Sequence, residues 1–238
     1  MCRAVASVAA LLLAVLPQAG LGLTGEITQL SGAVVARRTD GQSRLLSLKS
    51  QVNEGDLLVT AENTFARVRF TDGAEVVLRA GSQLKIEAYR YDESKPEGDG
   101  FFVSLLKGGM RSVTGLLARR NPGKASYITP TATIGIRGTH FGALLCNDDC
   151  AGVPTPSGAP PANGLHVDVA DGRIVVTSQA DEREYTVGQF GYVASPTAPP
   201  VLVPPEQGIR ASLPAQAARL AMQGGTVGRG NDLECAIR

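Results

Sequence analysis

The sequence predicts an all-β fold, and three observations carry that expectation. Apolar and polar residues alternate over short runs, as in Ala66-Val68-Phe70 with Arg67 and Arg69 between them. That is the period of a strand with one dry and one wet face. Turn dipeptides such as Asp72-Gly73 and Asp171-Gly172 stand between such runs, which is the strongest short-range hairpin signal. The 28 glycines and 14 prolines are spread along the chain, favouring many short strands joined by turns over long helices.

The first element is an export signal. Arg3 is a short positive start, and Val5 to Leu16 is an apolar stretch of about a dozen residues, short for a bilayer span. Gly20-Leu21-Gly22 offers a small-residue cleavage site. Residues 1–22 therefore read as a removed secretory signal, the other reading being a retained anchor. Cys2 precedes the apolar stretch and cannot serve as a lipid acceptor after cleavage. No later apolar run approaches about 18 residues, so the expectation is a periplasmic chain with no transmembrane segment after cleavage.

The strands follow in order. Ile27 to Ala36 reads as one apolar run ended by Asp40-Gly41. Residues 65–79 read as a hairpin turning at Asp72-Gly73. Leu84-Ile86-Ala88 alternates with Lys85 and Glu87, and Phe101–Leu106, Tyr127–Thr129 and Ile134–Phe141 continue the series. Leu165-Val167-Val169 and Ile174–Val176 read as a second hairpin about Asp171-Gly172, closed by Tyr185-Val187 and Phe190–Tyr192. Pro154, Pro156, Pro160 and Pro161 make 151–163 a loop excursion, because proline cannot donate to a ladder. Ser195–Pro205 reads as an extended coil leaving the domain. Ser212, Pro214 and Gly224-Gly225 bracket one short C-terminal helix. The organisation is thus a signal over 1–22, an all-β domain over 23–195, and a Pro-rich segment with a helical tail over 196–238.

Composition narrows the function. The 23 Lys and Arg nearly balance the 22 Asp and Glu, so there is no basic footprint for nucleic acid. Trp is absent and aromatics make up 5%, which argues against a stacking platform for sugars.

Four spaced motifs carry a family resemblance. They are Val52-x-x-Gly55-Asp56-x-Leu58-x-Thr60, Ala66-x-Val68-x-Phe70-x-Asp72-Gly73, Leu105-x-Lys107-Gly108-Gly109-Met110-Arg111, and the Thr129–Thr139 run. Their order and spacing resemble the FecR-type domain over roughly Gly25 to Phe141, with a weaker extension through Gly164–Val193. The resemblance implies a twisted solenoid-like or sandwich-like β domain. It also implies kinship with envelope regulators that relay signals from outer-membrane receptors. Those regulators carry an anti-sigma helix bundle and a transmembrane helix before the domain. Here an export signal stands in that place, and the expectation is a stand-alone form.

The chemistry-bearing residues are few. Cys146 and Cys150 suit a disulfide in an oxidising compartment. A bridge to Cys235, or a metal site recruiting His140 or Asp148, are the alternatives. His140 and His166 lack a neighbouring nucleophile in a recognised arrangement and read as structural. Asp56, Asp72 and Asp171 each adjoin a glycine and read as turn formers. Lys107, Arg111, Arg119, Arg120 and Lys124 form a cationic cluster with no Asp or Glu from Phe101 through Tyr127. It reads as a solvated face or as a rim that meets an anionic partner. Arg137, between Gly135 and Gly138, either satisfies backbone carbonyls or reads a partner's carboxylate. No catalytic, cofactor or metal site is expected. The reading is a non-catalytic binding module with an envelope protein partner, in envelope signalling or scaffolding. Its alternatives are a structural protein binding peptidoglycan or polysaccharide, and a cryptic hydrolase.

Overall fold

The computed structural model describes residues 24–211. The export signal, the expected C-terminal helix and Cys235 lie outside them. Among the described residues fifteen strands form one open sheet, so the all-β expectation holds.

The run Ile27–Ala36 is two strands rather than one, β1 (Gly25–Ser31) and β2 (Val34–Arg37). Gly32 separates them at φ 88°, a left-handed conformation that interrupts an extended chain. β2 pairs with β3 (Ser43–Leu46) and with β5 (Leu57–Thr60), while β4 (Gln51–Val52) pairs with β1. β6 (Phe65–Phe70) and β7 (Glu75–Leu78) form the expected hairpin, with Val68 opposite Val76. In β8 (Gln83–Arg90) Leu84 and Ile86 are buried as the alternation predicts. A bulge between Ile86 and Ala88 then shifts the phase, so Tyr89 enters the core in place of Ala88.

Three strands of 14 residues organise the rest: β9 (Gly100–Val113), β11 (Thr133–Cys146) and β12 (Gly164–Thr177). A five-residue helix, α1 (Leu116–Arg120), and the short β10 (Ala125–Ile128) link the first two. Each long strand carries an interior glycine at positive φ: Gly108 at 75°, Gly138 at 63° and Gly172 at 72°. At each the strand changes partners. β9 pairs with β8 up to Lys107, and with β7 and β11 beyond it. β11 pairs with β10 before Gly138 and with β9 after it. β12 pairs with β14 (Phe190–Val193) before Gly172 and with β13 (Glu182–Thr186) after it. The expected hairpin at Asp171-Gly172 is therefore corrected. The dipeptide is a bulge inside one long strand, held opposite Arg137–His140 of β11. A turn dipeptide bends a strand without reversing it when both flanks find the same neighbour.

The bends wrap the sheet around one core. Ile134 and Ile174 from one side of the bend share one buried core with Phe141 and Val169 from the other, all nearly inaccessible to solvent. Aromatic rings run through it in edge-to-face contact: Phe70 on Phe101 at 5.0 Å, Phe101 on Tyr127 at 5.5 Å, and Tyr127 on Phe141 at 5.3 Å. Burying a side chain the size of Phe141 contributes on the order of 2–3 kcal/mol. The Tyr127 hydroxyl meets the Ser112 hydroxyl at 2.7 Å, which spares a buried polar group from going unpartnered.

The Pro-rich stretch does not leave the domain, contrary to expectation. β15 (Val201–Val203) pairs with β14 and caps the sheet at that edge. Beyond it Ile209 and Ala211 are buried. Proline is tolerated there because an edge strand needs only one laddered side.

Candidate partner-binding surface

The five cations of 107–124 do not form one loop. Lys107 and Arg111 lie in β9, Arg119 and Arg120 end α1, and Lys124 ends a short 3-10 turn. Nor do they stand as unrelieved like charges. Lys107 approaches Asp149 at 3.4 Å, Arg111 approaches Asp168 at 2.8 Å, and Arg120 meets Asp99. Those carboxylates lie outside the acid-free segment and are brought in by the tertiary fold. Arg120 holds the Asp99 carboxyl below its ordinary pKa, chiefly through its hydrogen bond, and the pairing raises Arg120 in turn.

Arg119, Lys124 and Arg137 are exposed and make no ion pair among the described residues. Two of them, Arg119 and Arg137, border the bend of β11 at Gly138. A Cβ built on Gly138 would lie 3.9 Å from Arg119 Cγ, so the Arg119 stem runs beside the backbone of Gly138. Arg137 stands directly opposite Arg173 of β12 in the ladder. Facing residues in an antiparallel pair share one side of the sheet, and like charges placed so repel. Arg173, which sequence reading did not single out, has only a long 3.7 Å contact with Glu184 to offset this. No local pattern marks it; its meaning comes from register. Among the described residues the Arg137 guanidinium makes no hydrogen bond to a carbonyl, the role weighed for it, while its backbone N–H donates to Thr139 Oγ1 at 3.3 Å.

Arg137 also lines a trough of about 450 Å³, together with Ser126, Gly135, Val175, Glu182 and Glu184. No aromatic side chain lines it. A cavity of about 330 Å³ elsewhere is bordered by Arg38 and Arg44. Both guanidiniums are already turned to the fully buried Asp56.

The aspartates read as turn formers do more than turn. Asp72 bonds Ala74 N–H within its turn at 3.1 Å. It also accepts the Tyr89 hydroxyl at 3.1 Å and the Leu117 N–H at 3.2 Å, joining the hairpin to β8 and α1. Asp56 takes the Asn53 N–H at 2.9 Å besides its two arginines.

Cys146 and Cys150 form a disulfide, which closes the alternative of a metal site on their thiolates. His140 accepts the Arg111 Nε–H on its Nε2 at 2.9 Å. The ring's basic nitrogen is thereby engaged, and burial followed by the Arg111 charge pushes its pKa down. His166 Nε2 bonds the Ala162 carbonyl at 2.8 Å and the ring stacks on Tyr192; burial lowers its pKa too.

Together these features define a class: an all-β module built on one open, bent sheet, whose surface chemistry is a cationic cluster beside a polar trough. The chain belongs to the FecR protein family, whose profile matches residues 56–174. The match starts later than the sequence motifs and runs on into β12. No curated protein matches the sequence. Two crystal structures of a candidate anti-sigma factor from Parabacteroides distasonis, at 1.65 and 2.50 Å, are similar to the chain at 15% identity. Their TM-scores are 0.45 and 0.46, and each covers 71% of this chain. The chain spans 65% and 64% of those solved chains, less than two thirds of their length.

Proposed function

We propose that this chain is a non-catalytic binding module of the cell envelope, exported to the periplasm with loss of residues 1–22. It serves signalling or scaffolding by holding a protein partner that presents carboxylates to Arg119, Lys124 and Arg137. One observation carries the reading: Arg137 faces Arg173 across two paired strands, Arg119 borders the same bend at Gly138, and all three are exposed cations. A partner's carboxylates would relieve that repulsion and would steer association at low salt. The disulfide suits an oxidising compartment. The engaged Nε2 of His140 supports a non-catalytic role over a hydrolase. The lack of aromatic rings in the trough supports a protein partner over a polysaccharide.

The test is capture from envelope extract with wild-type protein and with an Arg119→Glu, Arg137→Glu double variant, at low and high salt. Capture should be salt-sensitive and should fall in the variant. Undiminished, salt-insensitive capture would return the cluster to a solvated face. N-terminal sequencing of the exported protein should begin near Leu23.

A further inference from the structure

Three strands converge on the backbone of Ala211. Arg111 of β9 donates through Nη1 to the Ala211 carbonyl at 3.3 Å and through Nη2 to Asp168 Oδ2 of β12 at 2.8 Å. Asp168 Oδ1 accepts the Ala211 N–H at 2.9 Å. A single ion pair, its side chains 13% and 4% exposed, therefore holds both polar backbone groups of one residue. Gly142 of β11 makes the room, since a Cβ there would stand 2.7 Å from the Ala211 Cβ. Upstream, Gly208 lies flat against the Phe190 ring, where a Cβ would come within 2.3 Å, and the Arg210 guanidinium sits 5.3 Å from the centre of that ring. Ile209 packs with Leu144 and the disulfide.

The holding arginine has a third partner. Its Nε donates to His140 Nε2 at 2.9 Å. Arginine does not give up its proton in proteins, so the imidazole must be the acceptor and must be neutral, with its proton on Nδ1. A protonated ring has no lone pair to offer and would set a second cation against the guanidinium. The charged groups bearing on the ring are Arg111 from β9 and Asp168 and Asp171 from β12. Burial and Arg111 oppose the charged ring, the two carboxylates favour it, and the balance lies below the ordinary histidine value.

We propose that Arg111, Asp168 and His140 form a proton-operated latch on the segment Gly208–Ala211, closed while His140 is neutral and opened when its ring takes a proton. The imidazolium repels the guanidinium and draws on the same carboxylate, so Ala211 loses its hold on both sides. The segment Gly208–Ala211 then leaves Phe190 and Leu144 uncovered. The sign follows from linkage: the closed form binds a proton more weakly than the open one. The latch is at full strength above about pH 6.5, the value of a free imidazole, and weakens as pH falls toward the lowered value.

The test is hydrogen exchange of the full chain at about pH 7.5 and about pH 5, values on either side of the free imidazole. Wild type and His140→Gln are compared at each pH, so that the intrinsic pH dependence of exchange cancels. Glutamine keeps an acceptor for Arg111 and cannot be protonated. In wild type, protection over 208–211 should fall on acidification, by about tenfold for each unit separating the open and closed pKa values. In His140→Gln it should persist. As a check that needs no variant, the Ala211 amide shift in wild type should titrate with the midpoint of the His140 ring protons. Protection unchanged by acid in wild type, equal acid opening in His140→Gln, or an Ala211 midpoint that follows His166 would each overturn the latch.

Discussion

Arg120 grips both carboxylate oxygens of Asp99, Nε to Oδ2 at 2.7 Å and Nη2 to Oδ1 at 2.8 Å. The same guanidinium reaches the Asp92 carbonyl at 2.6 Å and the Glu93 carbonyl at 3.2 Å, and lies 4.8 Å from the centre of the Tyr91 ring. Asn121 adds a bond to Asp99 Oδ2 at 3.2 Å. These contacts pin α1 to the connection between β8 and β9. Two adjacent arginines thus differ in kind: Arg120 is structural, and Arg119 is exposed.

The two should separate in a thermal melt. Arg120→Glu sets a second carboxylate against Asp99 and should lower the melting temperature clearly. Arg119→Glu touches no such partner and should stay within about 0.5 kcal/mol of wild type. Equal melts for the two variants would refute the division.

Acid should undo the same pair. Arg120 depresses the Asp99 pKa, so the folded state holds this proton more weakly than the unfolded chain. The pair's contribution is complete above the ordinary aspartate value of about 3.9 and is lost as pH falls through the lowered one. Denaturation midpoints measured from neutral pH to below that value should fall more steeply for wild type than for Arg120→Ala. Parallel curves would show that the pair adds nothing to acid sensitivity.

The bends offer a contrast between two glycines. Gly138→Ala meets only the Arg119 stem at 3.9 Å, so it should cost only the left-handed strain of about 1–2 kcal/mol. Gly172→Ala would put a Cβ 2.2 Å from the Gly138 carbonyl oxygen. Backbone must move there, and the expected loss exceeds about 2 kcal/mol. Chemical denaturation of the two single variants ranks them; a milder effect at Gly172 would contradict the packing at the bend.

Asp72→Ala should destabilise by about 2–4 kcal/mol, because it strands buried donors on Ala74, Tyr89 and Leu117 at once. The replacement Asp72→Asn keeps acceptor capacity on one oxygen and should lose less. Urea unfolding of both reports the difference, and a neutral Asp72→Ala would show that water satisfies those donors.

Much of this molecule was legible locally. The alternation in Ala66–Phe70 and the Asp72-Gly73 turn specify a hairpin through contacts a few residues apart, and that hairpin formed as read. Cys146 and Cys150 lie close enough in sequence for their pairing to be read from spacing. The motifs from Val52 to Thr139 pointed to the FecR family. Asp171-Gly172 misled because the dipeptide encodes a local chain direction, whereas β11 supplies one uninterrupted neighbour on both its sides.

The sequence by itself determined the all-β class, most strand positions, the disulfide and the family, because each rests on short-range periodicity or on motif order. Only the tertiary structure decided which cations are free. Arg120 and Asp99 are 21 residues apart, and Arg111 and Asp168 are 57 apart. Their pairing depends on strand register and on the three glycine bends, and no local pattern encodes either. The opposition of Arg137 and Arg173 and the return of Gly208–Ala211 to the sheet have the same origin. Charge in a sequence is a count, and its energy depends on the distances that folding sets.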